Sequence, residues 1–253
     1  MATPAKPCLV WDNRFGDAVP LASSTASGNV LNLADFRPYT SWKPSALPAT
    51  VTVNCGSAKS ADSLAIFNHD LFTGGCTVEV RGSTDNFAAS DVLVHSYTPG
   101  SNSPFVRSFT SASYQYWRLR ITGTTAPTLT IAVIGVILEF PKGLPRGFAP
   151  LGGDVIGQTN VSEEGLPLGK SIVFEKWSQP LAFHNLDASW VRSTFLPIWH
   201  AHLKKNPFLF AFDLVNNPAE IYLVGSGDKL PVPHDVSKDY LSISFTVSGV
   251  ALS

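Results

Sequence analysis

A mainly β chain of two domains is predicted by three observations. Apolar residues recur at every second position over most of the first 140 residues, Gly and Pro (19 of each) punctuate those runs, and helical spacing is found in only one stretch, between 188 and 205. The expected organisation is an N-terminal β-sandwich over 1–140, a linker over 141–150, and a C-terminal β domain with one α-helix over 151–253. A chain of 253 residues is long enough to bury a core in each half.

The first half is read strand by strand. Val51-Thr52-Val53 and Leu64-Ala65-Ile66-Phe67 are short candidates, and Cys76 to Arg81 alternates cleanly. From Tyr116 to Ile121, Trp117, Leu119 and Ile121 share one face while Arg118 and Arg120 share the other. Thr128 to Phe140, rich in β-branched residues, closes the series. Turns at Thr73-Gly74-Gly75, Gly82 to Asn86, Pro99 to Asn102 and Gly123-Thr124-Thr125 separate these runs, as in an antiparallel sandwich or jelly roll.

The prolines and glycines of Pro141 to Pro150 then mark a boundary. Beyond it Ser171 to Glu175 and Leu181 to His184 read as strands. Trp190, Phe195, Ile198, Trp199 and Leu203 form the stripe of a helix. Pro197 sits too late for a first-turn proline unless the helix starts near Ser193 or Thr194, and Asn206-Pro207 ends it. Phe208 to Phe212, Glu220 to Val224 and Tyr240 to Val247 complete the strands.

Composition excludes several classes. The chain is 44% hydrophobic and 15% charged, which argues against a disordered segment. A net charge of -1 lacks the basic excess of a general nucleic-acid binder. The N-terminus has no apolar signal-peptide core, and the longest apolar run, Leu129 to Phe140, is far shorter than the roughly 20 residues of a membrane span. Three cysteines at long spacings, Cys8, Cys55 and Cys76, read as free thiols buried like small apolar residues, with a Cys55–Cys76 bridge as the alternative.

Ordered pieces of the first half carry a family resemblance. Trp42-Lys43-Pro44, Val51 to Gly56 and Leu64 to Leu71 look like the opening of a galactose-binding-like, discoidin-type jelly roll. Val78 to Phe87 resembles its v-x-v-x-x-S-x-D-g-x-w stretch, and Tyr114 to Ile121 its a-r-Y-v-R-l strand. The resemblance implies loops at one end of the sandwich that bind glycans, lipids or proteins. A sugar site needs an exposed aromatic platform with polar neighbours, and Arg37, Trp42, Asn68 and His69 are its candidates; a core Trp beside ordinary turn residues is the competing reading. Asp70 and Asp85 do not form the dense oxygen-ligand loop that calcium requires.

The second half resembles distal tail and minor tail proteins of long-tailed bacteriophages. The similarity lies in Phe195 to Asp213, where a helix with an aromatic face precedes Pro207-Phe208-Leu209-Phe210-Ala211-Phe212-Asp213, and continues through Pro218 to Val224 and Tyr240 to Gly249. One departure is domain order, because many distal tail proteins place the ring-forming β domain first. The resemblance implies a structural virion subunit, made in the host cytoplasm. It would form a homo-oligomeric ring, hexameric or trimeric, between the tail tube protein and the hub and fibre proteins. Phe208, Phe210 and Phe212, which share one strand face, are candidates for the oligomer interface, with core packing as the competing reading.

No enzymatic constellation is visible. His200 and His202, two apart on a helix, point in opposed directions and cannot chelate together. Glu163-Glu164 is an acidic pair in a loop, no GxSxG or phosphate-binding motif is present, and no cofactor is called for. The expected function is therefore the structural tail-tip component, with a carbohydrate-binding module for host-surface recognition as the alternative.

Overall fold

The computed structural model describes residues 3–145, 153–226, 234–237 and 239–251. They are mainly antiparallel strand, with one long helical stretch and two short 3-10 turns at Arg14–Gly16 and Val30–Ala34, and the chain divides into two compact units. The first is Met1–Glu139 with Phe210–Ile221, and the second is Phe140–Leu209 with Tyr222–Ser253. Half of the expected linker, 146–150, lies outside the described residues.

The first unit is a jelly-roll sandwich of β1 (Cys8–Trp11), β2 (Leu21–Ala22), β3 (Ser27–Gly28), β4 (Trp42–Lys43), β5 (Ala49–His69), β6 (Thr77–Ser83), β7 (Val92–Tyr97), β8 (Phe105–Thr122) and β9 (Leu129–Glu139). Two long strands build both layers. β5 pairs with β8 along its whole length, but the register slips between Asn54 and Lys59 and again between Ala61 and Ser63. There both strands bend from one sheet into the other. Val51 and Val53 lie beside Leu119 and Trp117 in one layer, while Leu64 and Ile66 lie beside Ile134 and Ala132 of β9 in the opposite layer. These side chains, with Trp42, Val78, Val80, Ile121 and Leu129, form the core between the sheets. The strict alternation read from Trp117 to Ile121 is therefore the signature of a sheet with one face in the core and one in water.

Because β5 and β8 double back at one end, their termini all return to the other. Ala49 pairs with Ile121, and His69 pairs with Leu129. The loops 29–41, 70–76, 98–104 and 123–128 consequently share a single end of the sandwich. The three cysteines are free thiols, so no Cys55–Cys76 bridge is present.

The second unit holds β10 (Asp154–Val161), β11 (Pro167–Asp187), the helical stretch over 188–203, β13 (Ile221–Ser226) from Tyr222 onward, β14 (His234–Ser237) and β15 (Tyr240–Ala251); β12 (Phe208–Ala211) is divided, with Phe208 and Leu209 in the second unit and Phe210 and Ala211 in the first. β15 pairs with β11 on one side and β13 on the other. The helix packs aromatic side chains on this sheet: the rings of Phe195 and Trp199 lie 5.8 and 5.1 Å from that of Phe245.

The helix starts earlier than expected. Asp187 is its N-cap, accepting a hydrogen bond from the Trp190 amide at 2.9 Å, and the helix runs through Pro197 to Leu203. Its α-helical turns, Ala188–Trp190 and Leu196–Ile198, alternate with π-helical turns, Val191–Phe195 and Trp199–Leu203. The buried stripe explains the alternation. Val191, Phe195, Trp199 and Leu203 are spaced by four, and on an α-helix four residues overshoot one turn by about 40°. The wider π turns undershoot, so alternating the two keeps the stripe on one line. Pro197, exposed at the start of an α turn just after a π turn, is accommodated where the hydrogen-bond ladder is already broken.

Candidate binding site

The four loops at the common end of the sandwich are knitted by side-chain-to-backbone hydrogen bonds. Asp35 folds the 35–40 loop onto itself, accepting from the Arg37 amide and the Thr40 hydroxyl at 2.8 Å each. Asn68, with a left-handed backbone (φ 57°), donates to the Pro38 carbonyl at 3.1 Å and ties that loop to the end of β5. Asn102 reaches across to the next loop: its Oδ1 accepts from the Phe72 and Thr73 amides at 3.0 and 3.3 Å, and its Nδ2 donates to the Thr73 hydroxyl at 2.7 Å. Asp70 accepts from the Thr128 amide at 2.6 Å, and Gly74 accepts from the Thr124 amide at 3.1 Å.

These tethers hold two aromatic rings out in water. Tyr39 is 80% exposed and Phe72 is 54% exposed. A single exposed apolar side chain is ordinary on a protein surface, but two rings on anchored loops that share one end of the sandwich make a candidate contact surface. Around them stand Arg37 and Asn68, both exposed, and the Asn102 amide.

The four residues expected at a sugar site have different fates. Arg37 and Asn68 belong to this loop cluster. Trp42 does not form a platform. It is fully buried, its indole N–H donates to the Thr25 hydroxyl at 3.0 Å, and it packs in the sandwich core. An indole placed on β4 facing the opposite sheet has no face left for a solute. His69 is also buried and acts from beneath the loops: Nδ1 accepts from the Leu71 amide at 3.3 Å, so Nε2 carries the proton and donates to the Ser103 carbonyl at 3.1 Å. Burial pushes the imidazole down to about 4, against the smaller opposing pulls of the Ser103 carbonyl and Asp70. Tyr39 and Phe72 were the residues missed, because nothing in their own neighbourhood distinguishes an exposed loop aromatic from a buried one.

The expected oligomer-interface phenylalanines are corrected in the same way. Phe208 and Phe210 are fully buried within the chain, since all four residues of β12 are shielded on both faces. Only Phe212 remains half-buried. The uncovered apolar surface lies elsewhere in the second unit, on the β10–β11 ribbon. Val155, Ile156, Val161, Leu166, Leu168, Ile172 and Val173 are all exposed there. Glu163 and Glu164 sit in its tip, and His200 is exposed on the helix. Among the described residues no three His, Cys, Asp or Glu side chains gather closely enough to hold a metal ion, and no helix is long and apolar enough to cross a membrane.

No family model and no curated protein sequence matches the chain. Among solved structures it is similar to carbohydrate-binding modules. The family 32 module of AlyQ, in complex with 4,5-unsaturated mannuronic acid, is 22% identical over 49% of this chain and 96% of its own, with a TM-score of 0.40. Chitosan-binding module 1 of a Paenibacillus chitosanase/glucanase is 18% identical over 49% of this chain and 98% of its own, at a TM-score of 0.41. The family 32 module of Clostridium perfringens NanJ, in complex with galactose, is 16% identical over 52% and 99%, at 0.42.

Proposed function

We propose that the chain is a non-catalytic recognition protein whose first unit binds carbohydrate through its loop end. The observation that carries this reading is the pair of exposed rings, Tyr39 and Phe72, on loops held in place by Asn68 and Asn102. A pyranose presents an apolar C–H face that packs on an aromatic ring, and equatorial or axial hydroxyls that need both donors and acceptors. A side-chain amide supplies both, and the Arg37 guanidinium supplies donors alone. Anchored loops favour such binding because little conformational freedom is lost when a ligand arrives. The test is a broad glycan array probed with the full chain, followed by calorimetry on Tyr39→Ala and Phe72→Ala. Binding that weakens in both variants supports the reading; absence of binding across the array overturns it.

A second reading, the structural subunit of a phage tail tip, is favoured by the β10–β11 ribbon. A two-stranded ribbon is marginal by itself in water, and apolar side chains uncovered on a projecting hairpin suit a subunit whose neighbours cover them. In that setting the chain would be a virion component, assembled in the host cytoplasm into a hexameric or trimeric ring. It would contact the tail tube, hub and fibre proteins, with the jelly roll turned to host-surface glycan. Its test is the mass of the purified chain in solution: a closed ring supports it, and a monomer at high concentration counts against it.

A further inference from the structure

The sheet in which β2, β5, β8, β6 and β7 are neighbours turns one face away from the core. Its central feature is a cross-strand pair of like charges. Arg81 on β6 stands directly opposite Arg118 on β8, one strand spacing away. Like charges at such positions destabilise a sheet, so keeping them there asks for a reason.

The neighbouring charges do not fully supply one. Arg81 is balanced by Glu79 at 2.8 Å and Asp91 at 2.6 Å, and Glu79 also pairs with Arg120 at 3.0 Å. One carboxylate thus serves two guanidiniums. Arg118 makes no ion pair among the described residues, although Asp91 acts on it from beyond contact: its Nε donates to the Thr52 hydroxyl at 2.9 Å, and its guanidinium lies 3.6 Å from the centroid of the Phe87 ring. Its two terminal nitrogens have no protein acceptor among the described residues and are not sealed from solvent. Phe87 is held in that position at some cost. Asn86 and Phe87 both adopt left-handed backbone (φ 58° and 64°), kept there by the Ser83 hydroxyl, which accepts the Phe87 amide at 2.8 Å. The ring covers one side of the guanidinium and leaves its terminal N–H groups to the solvent side.

The row through Arg118 and Arg81 ends on exposed Leu21 of β2 and exposed Leu93 of β7. In the rows beside Arg118 stand Thr50, Thr52, Asn54 and Tyr116, all turned away from the core.

We propose that this face binds an acidic polysaccharide, one carboxylate being taken by the Arg118 fork while Thr52, Asn54 and Tyr116 meet the hydroxyls of neighbouring sugars. Guanidinium and carboxylate match in planar, two-pronged geometry, which a hydrated point charge does not. A sparse charge set among hydroxyl and amide groups suits a polymer whose charges are themselves separated by neutral hydroxyls. A nucleic acid, with a phosphate at each step, would call for a denser basic strip than a chain of net charge -1 provides.

The experiment is affinity electrophoresis of the full chain in gels containing polygalacturonate, its methyl ester, or polyglutamate. Retardation is expected in polygalacturonate alone, weakening with added salt. Arg118→Gln should reduce it by roughly tenfold or more, the value of a charge-assisted bond. Arg192→Gln, an exposed arginine on the helix of the second unit, should leave it unchanged. Removing one of two facing arginines relieves repulsion, so Arg118→Gln should melt no lower than the parent chain. If it does melt lower, Arg120→Gln on the same face gives the binding readout. Equal retardation by the methyl ester or by polyglutamate overturns the proposal, as does parental retardation in both Arg variants. Loss in Tyr39→Ala alone would assign the acidic polymer to the loop end instead.

Discussion

Beneath the exposed loops of the sandwich, the imidazole of His69 bridges Leu71 and Ser103, accepting from the amide of one and donating to the carbonyl of the other. The loops that carry Phe72 and Asn102 are therefore joined from beneath through this neutral ring, in addition to the Asn102 bonds above. Protonation would place a second N–H against the Leu71 amide, and burial already opposes it, holding the ring down at about 4. The sign follows from this depression. Between 6.5 and about 4 the unfolded chain binds the proton and the folded chain does not, so stability is complete above 6.5 and declines as pH falls toward 4. The full span is worth about 3 kcal/mol. Urea midpoints between pH 7 and 5 should fall more steeply for the parent chain than for His69→Gln, and parallel slopes would remove His69 from the role.

The tether from β5 to the 35–40 loop separates from backbone strain by two substitutions at one position. Asn68 has φ 57°, a conformation that Asn and Gly tolerate and Ala does not. Asn68→Gly should retain the fold while losing the bond to Pro38, and so should weaken glycan binding with little change in melting temperature. Asn68→Ala should lose the same bond and a further ~1 kcal/mol of stability. Calorimetric binding and thermal melts on both variants decide the matter; equal melts would mean that the left-handed backbone costs nothing here.

Trp42 illustrates why a sugar site read from composition alone can mislead. With its indole in the core and bonded to Thr25, Trp42→Ala should cost about 3–5 kcal/mol. Lost binding in that variant would report on folding. Thr25→Val, which leaves the indole N–H buried without an acceptor, should cost about 1–3 kcal/mol and leave Tyr39 in place. A chemical melt in which Thr25→Val matches the parent chain would place water, not Thr25, at that nitrogen.

What was legible in the chain, and what was not, divides along a physical line. The alternation of Val78, Val80, Trp117, Leu119 and Ile121 reports a pleat with one wet face, and the structure turns these five residues into the core. The helix was visible through Phe195, Trp199 and Leu203, but its start was not: Pro197 suggests a boundary that π-helical turns remove, and Asp187 caps the helix one turn before Val191. Phe208 and Phe210 share a strand face, yet periodicity cannot tell a face turned to a partner from a face turned to the chain's own core. Tyr39 and Phe72 depend on where β5 and β8 bend, a long-range event with no local signature.

The last prediction concerns the sheet of the second unit. Gly249 on β15 lies between Trp177 of β11 and Val224 of β13, and the Trp177 and Tyr222 rings stack at 4.3 Å with planes 10° apart. Trp177 stands opposite Gly249 and Tyr222 opposite Ala251, on the two strands that flank β15, so the rings meet across the middle strand. A Cβ at Gly249 would stand 1.8 Å from the Leu223 carbonyl oxygen, which is backbone and cannot rotate away. Gly249→Ala must therefore push β13 from β15, and is expected to cost about 1–3 kcal/mol, the range for overpacking a well-packed interior. The stacked pair should register the displacement directly, through a loss of near-ultraviolet circular dichroism from Trp177 and Tyr222. Trp177→Leu should lose the same signal without moving the strands, so only Gly249→Ala should speed hydrogen exchange at the β13–β15 amides. Parental exchange rates in Gly249→Ala would show that the sheet absorbs the methyl, and would break the link between the missing side chain and the stacked rings.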